Sequence, residues 1–425
     1  MTWSTIHLRI TTPVFNGGHD PVHEDGTAIR VPSILGAMRF WFRALAGAHV
    51  GPDLAALRYW EGRVFGHASS GDGAERDDAA SAIQWRIPSQ PRIVAPGSAP
   101  DWLPSHTKTG GAQRSDKWIV YLLGQGLGNL KDCTLTRPYV PAGQDFDLKF
   151  RLRRDDPVAL GLALTALWLT CAYGGVGART RRGFGGLKID GIDWAGLQPP
   201  PPWDALPFQA STPDEYRRLT RLSPECVGRA LPLFQQADLH RKDSPLHHWQ
   251  TLPPYPVLGG PASLSGQETT LAGLGSTAYH SWDLTLRDIG YRWRRFRASE
   301  DAPGANYEPK VKTPEWTAVI VGTEDDEFTL GVLGLPVGYK GKRVVNAVAD
   351  GAQLRRASPL WLRPVQINDR WHLFSFAFLS EFLPTGGSPP VEVHLFEDKT
   401  YVRTLTVPED QVKPWTEAWL TEIKE

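Results

Sequence analysis

The fifteen residues from Tyr173 to Leu187 read Y-G-G-V-G-A-R-T-R-R-G-F-G-G-L, six of them glycine and three arginine. Glycine tolerates positive φ and lets the backbone come close to a ligand. The planar donor forks of Arg179, Arg181 and Arg182 suit phosphate oxygens. Together they point to a clamp for a nucleic-acid backbone, with Gly175, Gly177, Gly183 and Gly185 permitting the approach. A helix cap would need only one glycine and no arginine. Two better-known glycine motifs are excluded. No lysine and hydroxyl stand in the register of a Walker loop, and the loop runs from helix to strand, the reverse of a dinucleotide fingerprint. Arg182-Gly183-Phe184-Gly185 copies the first half of an RRM signature, but Gly186 stands where the next aromatic belongs.

Other basic residues repeat this chemistry. Gly36, Arg39, Arg43 and Gly47 fall on one face of an expected helix over 34–48, although Glu61 offers the two arginines an alternative partner. The run Tyr291-Arg292-Trp293-Arg294-Arg295-Phe296-Arg297 interleaves aromatics with cations, as single-strand binders do. It also reads as an amphipathic helix burying Ile289, Trp293 and Phe296, with Arg294 and Arg295 on the basic face. Further on come Lys340, Lys342, Arg343, Arg355 and Arg356.

The elements that must position these residues follow from periodicity. Residues 3–12 alternate as a half-buried strand, with Ile6, Leu8 and Ile10 on one face. Val31-Pro32-Ser33 reads as the cap of the helix, whose buried stripe is Leu35, Met38, Trp41, Phe42 and Leu45. A second helix is expected over 53–66 and strands over 83–87 and 146–153. Residues 158–173 form a charge-free helix, about 16 residues against the ~20 needed to cross a bilayer, so a core helix is expected. The glycine loop and a strand from Leu187 complete a βαββαβ, ferredoxin-like plan: an antiparallel sheet with helices on one face and the other face free for RNA. Residues 251–266 are linker-like, and 211–230 are expected to be helical. Two strand-like runs lie within 316–333, followed by strands over 371–378 and 391–396 and a helix over 408–424.

The whole is an α+β chain with two ferredoxin-like (RRM-like) domains, over 1–195 and 279–425, joined by a proline-rich segment over 196–278. The chain of 425 residues is neutral overall, with 46 basic and 46 acidic residues, so any RNA surface must be local. Cys133, Cys171 and Cys226 form neither a disulfide framework nor a metal pair, which fits a cytoplasmic location. The N-terminus lacks the pattern of a signal peptide. No cofactor, metal or membrane is expected.

Three groups of residues carry a family resemblance. The first is Thr12-Pro13-Val14-Phe15-Asn16-Gly17-Gly18 leading into Val31-Pro32-Ser33-Ile34-Leu35-Gly36-Ala37-Met38-Arg39-Phe40-Trp41-Phe42-Arg43. The second is the glycine loop over 174–185. The third is Leu335-Pro336 with Arg355-Arg356-Ala357-Ser358-Pro359-Leu360. The set resembles the RAMP superfamily, and within it the family of the first RAMP subunit of the Cmr, or type III-B, CRISPR effector. The resemblance implies two ferredoxin-like domains and a place at one end of an RNA-guided complex, near the 3′ end of the guide RNA. It implies a non-catalytic protein whose partners are guide RNA, single-stranded target RNA and sibling RAMP subunits. The competing class is a RAMP-type endoribonuclease using a histidine, for which His19 and His23 are candidates. Their neighbours Asp20, Glu24 and Asp25 would repel phosphate. A protein-only scaffold is disfavoured by the loop arginines.

Overall fold

The computed structural model describes residues 2–16, 29–67, 80–103, 118–124, 126–129, 134–200, 210–220, 249–259, 268–297, 316–339, 342–383 and 390–424. His19, His23, Lys340, Gly17, Gly18, Cys133 and Cys226 lie outside these residues.

Strand β1 (Ser4–Ile10) turns Ile6, Leu8 and Ile10 into the core, as its alternation requires. Helix α1 (Val31–Val50) starts three residues before the expected Ile34. Pro32 sits in its first turn, where a missing N–H costs nothing. Ser33 is therefore inside the helix, and its amide donates to the Arg30 carbonyl at 3.0 Å. Helix α2 (Leu54–Phe65) is capped by Asp53, which accepts from the Ala55 and Ala56 amides. After β2 (Ile83–Arg86) come α3 (Trp118–Leu123) and a small ribbon of β3 (Gly128–Asn129) and β4 (Thr134–Leu135). Then follow β5 (Asp145–Leu152), α4 (Pro157–Ala172) and β6 (Leu187–Asp193).

The first sheet has the order β2-β5-β1-β6, antiparallel at every pairing. That is the ferredoxin-like arrangement, with α1 and α4 packed on one face. The opposite face is not a uniformly basic surface. Arg9 pairs with Asp145 at 2.8 Å and with Asp190 at 3.2 Å, and His7 meets Asp147 at 2.9 Å.

After α5 (Pro213–Thr220), strand β7 (Thr270–Tyr279) leads into α6 (Trp282–Phe296). The sequence from Trp316 to Leu333 was expected to form two strands. It instead forms a π-helix, Trp316–Val321, and a 3-10 helix, Thr329–Leu333. Four consecutive residues, Leu330 to Leu333, are buried there, which no half-buried strand allows. Next come β8 (Val337–Gly338), β9 (Arg343–Ala349), β10 (Ala352–Leu354), β11 (Leu360–Ile367), β12 (Arg370–Phe378), β13 (Glu392–Glu397), β14 (Thr400–Leu405) and α7 (Val412–Glu422).

One C-terminal sheet has the order β11-β12-β7, which is three of the four strands of a ferredoxin-like sheet. β8, β9, β10, β13 and β14 form a separate sheet. β7 pairs along β12, so the expected boundary at 279 falls at the end of a strand of the C-terminal sheet. Its alternation is broken by Gly273 and Gly275, whose backbone lies against Leu420 and Ile423 of the chain end. Pro364 sits in β11, tolerated because β11 is an edge strand.

This three-stranded sheet is covered on both sides. Trp361, Phe374, Phe376 and Phe378 join the core of the first sheet, while Leu360, Leu362, Leu373 and Ala377 join a second core with α6 and α7. Helix α4 consequently has neighbours all round, and every residue from Ala159 to Cys171 is buried. Among the described residues no helix is long and apolar enough to cross a membrane.

The two sheets are pinned by Arg363 of β11. Its fully buried guanidinium donates to the carbonyls of Cys171 and Gly174 and, at 3.1 Å, to that of Leu187. These are the terminal carbonyls of α4 and the residues around the glycine loop, where the helix dipole is negative. Burial still pushes the Arg363 pKa down and drives the neighbouring Cys171 thiol up to about 12. Arg363→Met should lower the unfolding free energy by about 3 kcal/mol, because buried carbonyls lose their donors. Arg363→Lys should not restore it, since one ammonium cannot reproduce the planar fork. Urea unfolding checks both, and a loss under about 1 kcal/mol would refute the clamp.

Candidate nucleic-acid interface

The glycine loop is held by its own backbone. The Val176 amide donates to the Gly185 carbonyl at 2.9 Å, Gly185 to Pro13 at 2.8 Å and Ala178 to Phe15 at 2.7 Å. The Thr12 hydroxyl accepts from the Gly186 amide at 2.8 Å. This is why T-P-V-F and the glycine run occur together: one is the frame of the other. Gly185 has φ +75°, and a side chain there would collide with the Val176 carbonyl; at Gly183, φ +89°, it would collide with Leu286 of α6. Gly175 is buried against Gly185, and Gly177 lies against the Phe15 carbonyl. The four glycines were expected to admit a ligand. They are instead placed to admit the protein's own backbone and side chains.

The loop then crosses to the open edge of β11. Arg182 bridges Leu362 in parallel fashion, and the Leu362 amide donates to the Arg181 carbonyl at 3.2 Å. A cavity of about 830 Å³ opens at this crossing. Its described lining includes seven arginines (137, 179, 181, 182, 297, 355 and 356) and no aspartate or glutamate. The opposite wall is Leu333 to Gly338, tied to the Arg355-Arg356 segment by a Leu335 to Arg356 backbone bond of 2.7 Å. The second and third sequence motifs thus face each other across one space.

Aromatic rings back the cations. Arg182 lies over Trp293 at 4.9 Å, Arg181 over Trp361 at 4.9 Å and Phe40 at 5.8 Å, and Arg356 over Phe382 at 5.2 Å. Arg181 also donates to the Ser358 carbonyl at 2.9 Å, and Arg356 to the Ser380 hydroxyl at 3.0 Å. Rings and carbonyls orient Arg181 and Arg182 without neutralising them, while Arg356 also feels Glu409 and Glu381. Burial first, then Arg297 and the other loop arginines, push Arg182 down to about 9. Burial and Arg356 bring Arg181 to about 10, and burial, Arg355 and Arg137 lower Arg179. All three remain cationic at neutral pH. Burial alone would raise the Tyr121 hydroxyl, but Arg297, Arg182 and Arg294 hold it below its ordinary 10. Arg297 donates to that hydroxyl at 2.9 Å. Such a site has the chemistry of a polyanion receptor.

The remaining expected residues lie elsewhere. Arg39 and Arg43 do not line the cavity: both grip Glu61, each at 2.7 Å. Arg39 also donates to the Phe65 and Gly66 carbonyls at the end of α2, which makes it chiefly a structural cap. Arg343 is held by the Ile320 carbonyl and by Glu397 at 3.1 Å, and Lys342 by Asp398 at 2.9 Å. Arg294 lies over Tyr121 at 5.7 Å, and neither it nor Arg295 lines the cavity. Helical spacing explains the shift: Arg297 follows Trp293 by four residues, so it shares that face and reaches the cavity. Arg137 carries no signal in sequence and arrives through the chain after β4.

Residues 7–188 match the model of the RAMP superfamily. Two curated proteins of Pyrococcus furiosus narrow the likeness. "CRISPR system Cmr subunit Cmr1-1" is 34% identical over 169 residues, 38% of this chain and 40% of that protein. "CRISPR system Cmr subunit Cmr1-2" is 29% identical over 189 residues, 43% of this chain and 92% of that protein. The aligned region thus spans well under half of Cmr1-1. The crystal structure of Cmr1 from Pyrococcus furiosus in its apo form shares the fold over 91% of each chain, with TM-score 0.51 and 21% identity.

Two measurements probe the site's electrostatics. The Arg182 pKa lies below its ordinary 12.5, so its charge opposes folding at pH 7, and the cost fades only above about 9. Arg182→Met should therefore melt higher than wild type at pH 7 while binding polyanions more weakly. An unchanged or lower melting temperature would contradict this. Glu61 behaves oppositely: burial would raise its pKa, but its bonds to Arg43 and Arg39 hold it below its ordinary 4.5. The stability it adds is full above that value and is lost as pH falls through the folded pKa. Glu61→Gln should accordingly destabilise at pH 7, with the gap closing in acid, as read by urea unfolding across pH.

Proposed function

We propose that this chain is a non-catalytic RNA-binding subunit of a type III-B Cmr CRISPR ribonucleoprotein. It sits in the cytoplasm at one end of the complex, near the 3′ end of the guide RNA, and helps capture single-stranded target RNA. Its sibling RAMP subunits are its protein partners. The observation that carries this reading is the cavity lined by seven arginines and, among the described residues, no carboxylate. The RAMP match and the names of the two Cmr1 relatives support the assembly it would serve.

Arginines of this kind fix phosphates and carry no sequence information, which in a guided complex comes from base pairing. The cavity is lined by connecting segments of both halves of the chain: Arg179, Arg181 and Arg182 from the glycine loop, and Arg355 and Arg356 from the segment between β10 and β11. RNA would then join the 1–195 unit to the C-terminal unit, with 196–278 supplying much of the covalent link.

Binding of single-stranded RNA to the purified chain across a salt series tests this. Wild type should lose affinity steeply with salt, by a slope of about 0.7 per phosphate contacted. Arg179 and Arg355 are both exposed, so the double change Arg179→Ala, Arg355→Ala should flatten that slope without unfolding the protein. RNA recovered from the mixture should be intact. Equal binding by the double variant would remove the cavity from the RNA site. Cleaved RNA would instead make the chain a nuclease, with His19 and His23 the first residues to replace.

A further inference from the structure

A second basic surface lies away from the cavity, around the corner where β5 turns into α4. Two hollows meet there. One, of about 1000 Å³, is lined by Arg39, Arg43, Arg58, Arg63 and Arg154 around Tyr59, Glu61 and Asp156. The other, of about 380 Å³, is lined by Arg151, Arg153 and Arg154 with Trp194 and Asp155. Arg154 belongs to both, so they form one path along the surface.

Among the described residues that line the path, seven arginines stand against three carboxylates. Glu61 is already shared between Arg39 and Arg43, and its side chain is only 12% exposed. Asp156 is gripped by Arg63 at 3.0 Å and also accepts the Ala159 amide as the cap of α4. Both carboxylates face inward, while Arg43, Arg58, Arg153 and Arg154 are exposed. Asp155 is the one exposed acid among the described lining of the two hollows. Tyr59 is 49% exposed beside Arg58. Arg151 also packs over the Trp3 ring at 4.7 Å, beside Arg86 at 4.1 Å. Exposed guanidinium groups around the open Tyr59 ring suit a flexible polyanion with stacking bases better than an acidic protein face, which offers no planar groups.

We infer that the path from Arg58 through Arg154 to Arg151 is a second, sequence-independent binding track for single-stranded RNA, separate from the arginine cavity. The inference rests on the RNA-binding reading of the chain. The cavity holds only a few nucleotides, and the track engages the strand beyond it.

The test uses the intact chain with a short and a long oligouridine, comparing wild type, the cavity variant Arg179→Ala, Arg355→Ala, and the track variant Arg58→Ala, Arg154→Ala. The track variant should bind the short RNA as wild type does and the long RNA about tenfold more weakly. Its salt slope for the long RNA should fall by about 0.7 per arginine removed. Photocrosslinked 4-thiouridine in the long RNA should mark peptides containing Tyr59. Wild-type affinity and slope for the long RNA in the track variant overturn the track, whatever the cavity variant does. Loss in the track variant with none in the cavity variant keeps the track and moves the principal site out of the cavity. Loss in neither removes both.

Discussion

A buried guanidinium that meets helix-end carbonyls sets the architecture. Arg363 comes from the edge strand of the C-terminal sheet and ends among the last carbonyls of α4 and the first of β6. Helix ends leave carbonyl groups without partners, and burying them without donors is costly. Here α4 ends in the middle of the molecule, between two sheets, so water cannot supply those donors. A residue nearly two hundred positions away supplies them. The glycine loop must leave α4 at that point, and its path across β11 follows.

The loop's role in the site is therefore indirect and geometric. Its glycines let the backbone fold tightly on itself and on Phe15, and the resulting turn throws Arg179, Arg181 and Arg182 toward the C-terminal sheet. The arginines are arrayed against aromatic rings and backbone oxygens, which fix their planes and leave their charge outstanding. Uncompensated positive charge in a partly dry hollow is unfavourable in the empty protein. The same charge becomes favourable once an anion enters. Stability and binding are set against each other at this spot.

What could be read in advance follows from the range of the forces involved. The alternation of Ile6, Leu8 and Ile10, the charge-free helix over 158–173 and the helix expected over 53–66 are local, and each stands as its residues dictate. The loop arginines and Arg355-Arg356 were visible as chemistry, but their meeting in one cavity depends on the crossing to β11, which no local pattern encodes. For Arg39 and Arg43 the sequence offered phosphate or Glu61 as partner, and spacing alone could not choose; the structure shows the Glu61 pairs. Arg137 was missed, and within the Tyr291–Arg297 run Arg297 was not set apart from Arg294 and Arg295, for the complementary reason: their role comes from tertiary placement. The two strands expected within 316–333 failed because short apolar runs suit a fully buried helical turn equally well. β7 went unread because its glycines, which serve the packing of the chain end, look like linker.

The all-round burial of α4 has a consequence for how the protein is born. A helix with no polar face needs cover on every side, and the core it joins is completed by Trp361, Phe374, Phe376 and Phe378 of the sheet built from residues 270–378. During synthesis α4 emerges about a hundred residues before the first of those strands. At ribosomal speeds of roughly 5–20 residues per second it stays uncovered for at least several seconds. The N-terminal sheet can assemble in that interval, but it must carry a sticky, half-dressed helix until the C-terminal strands arrive.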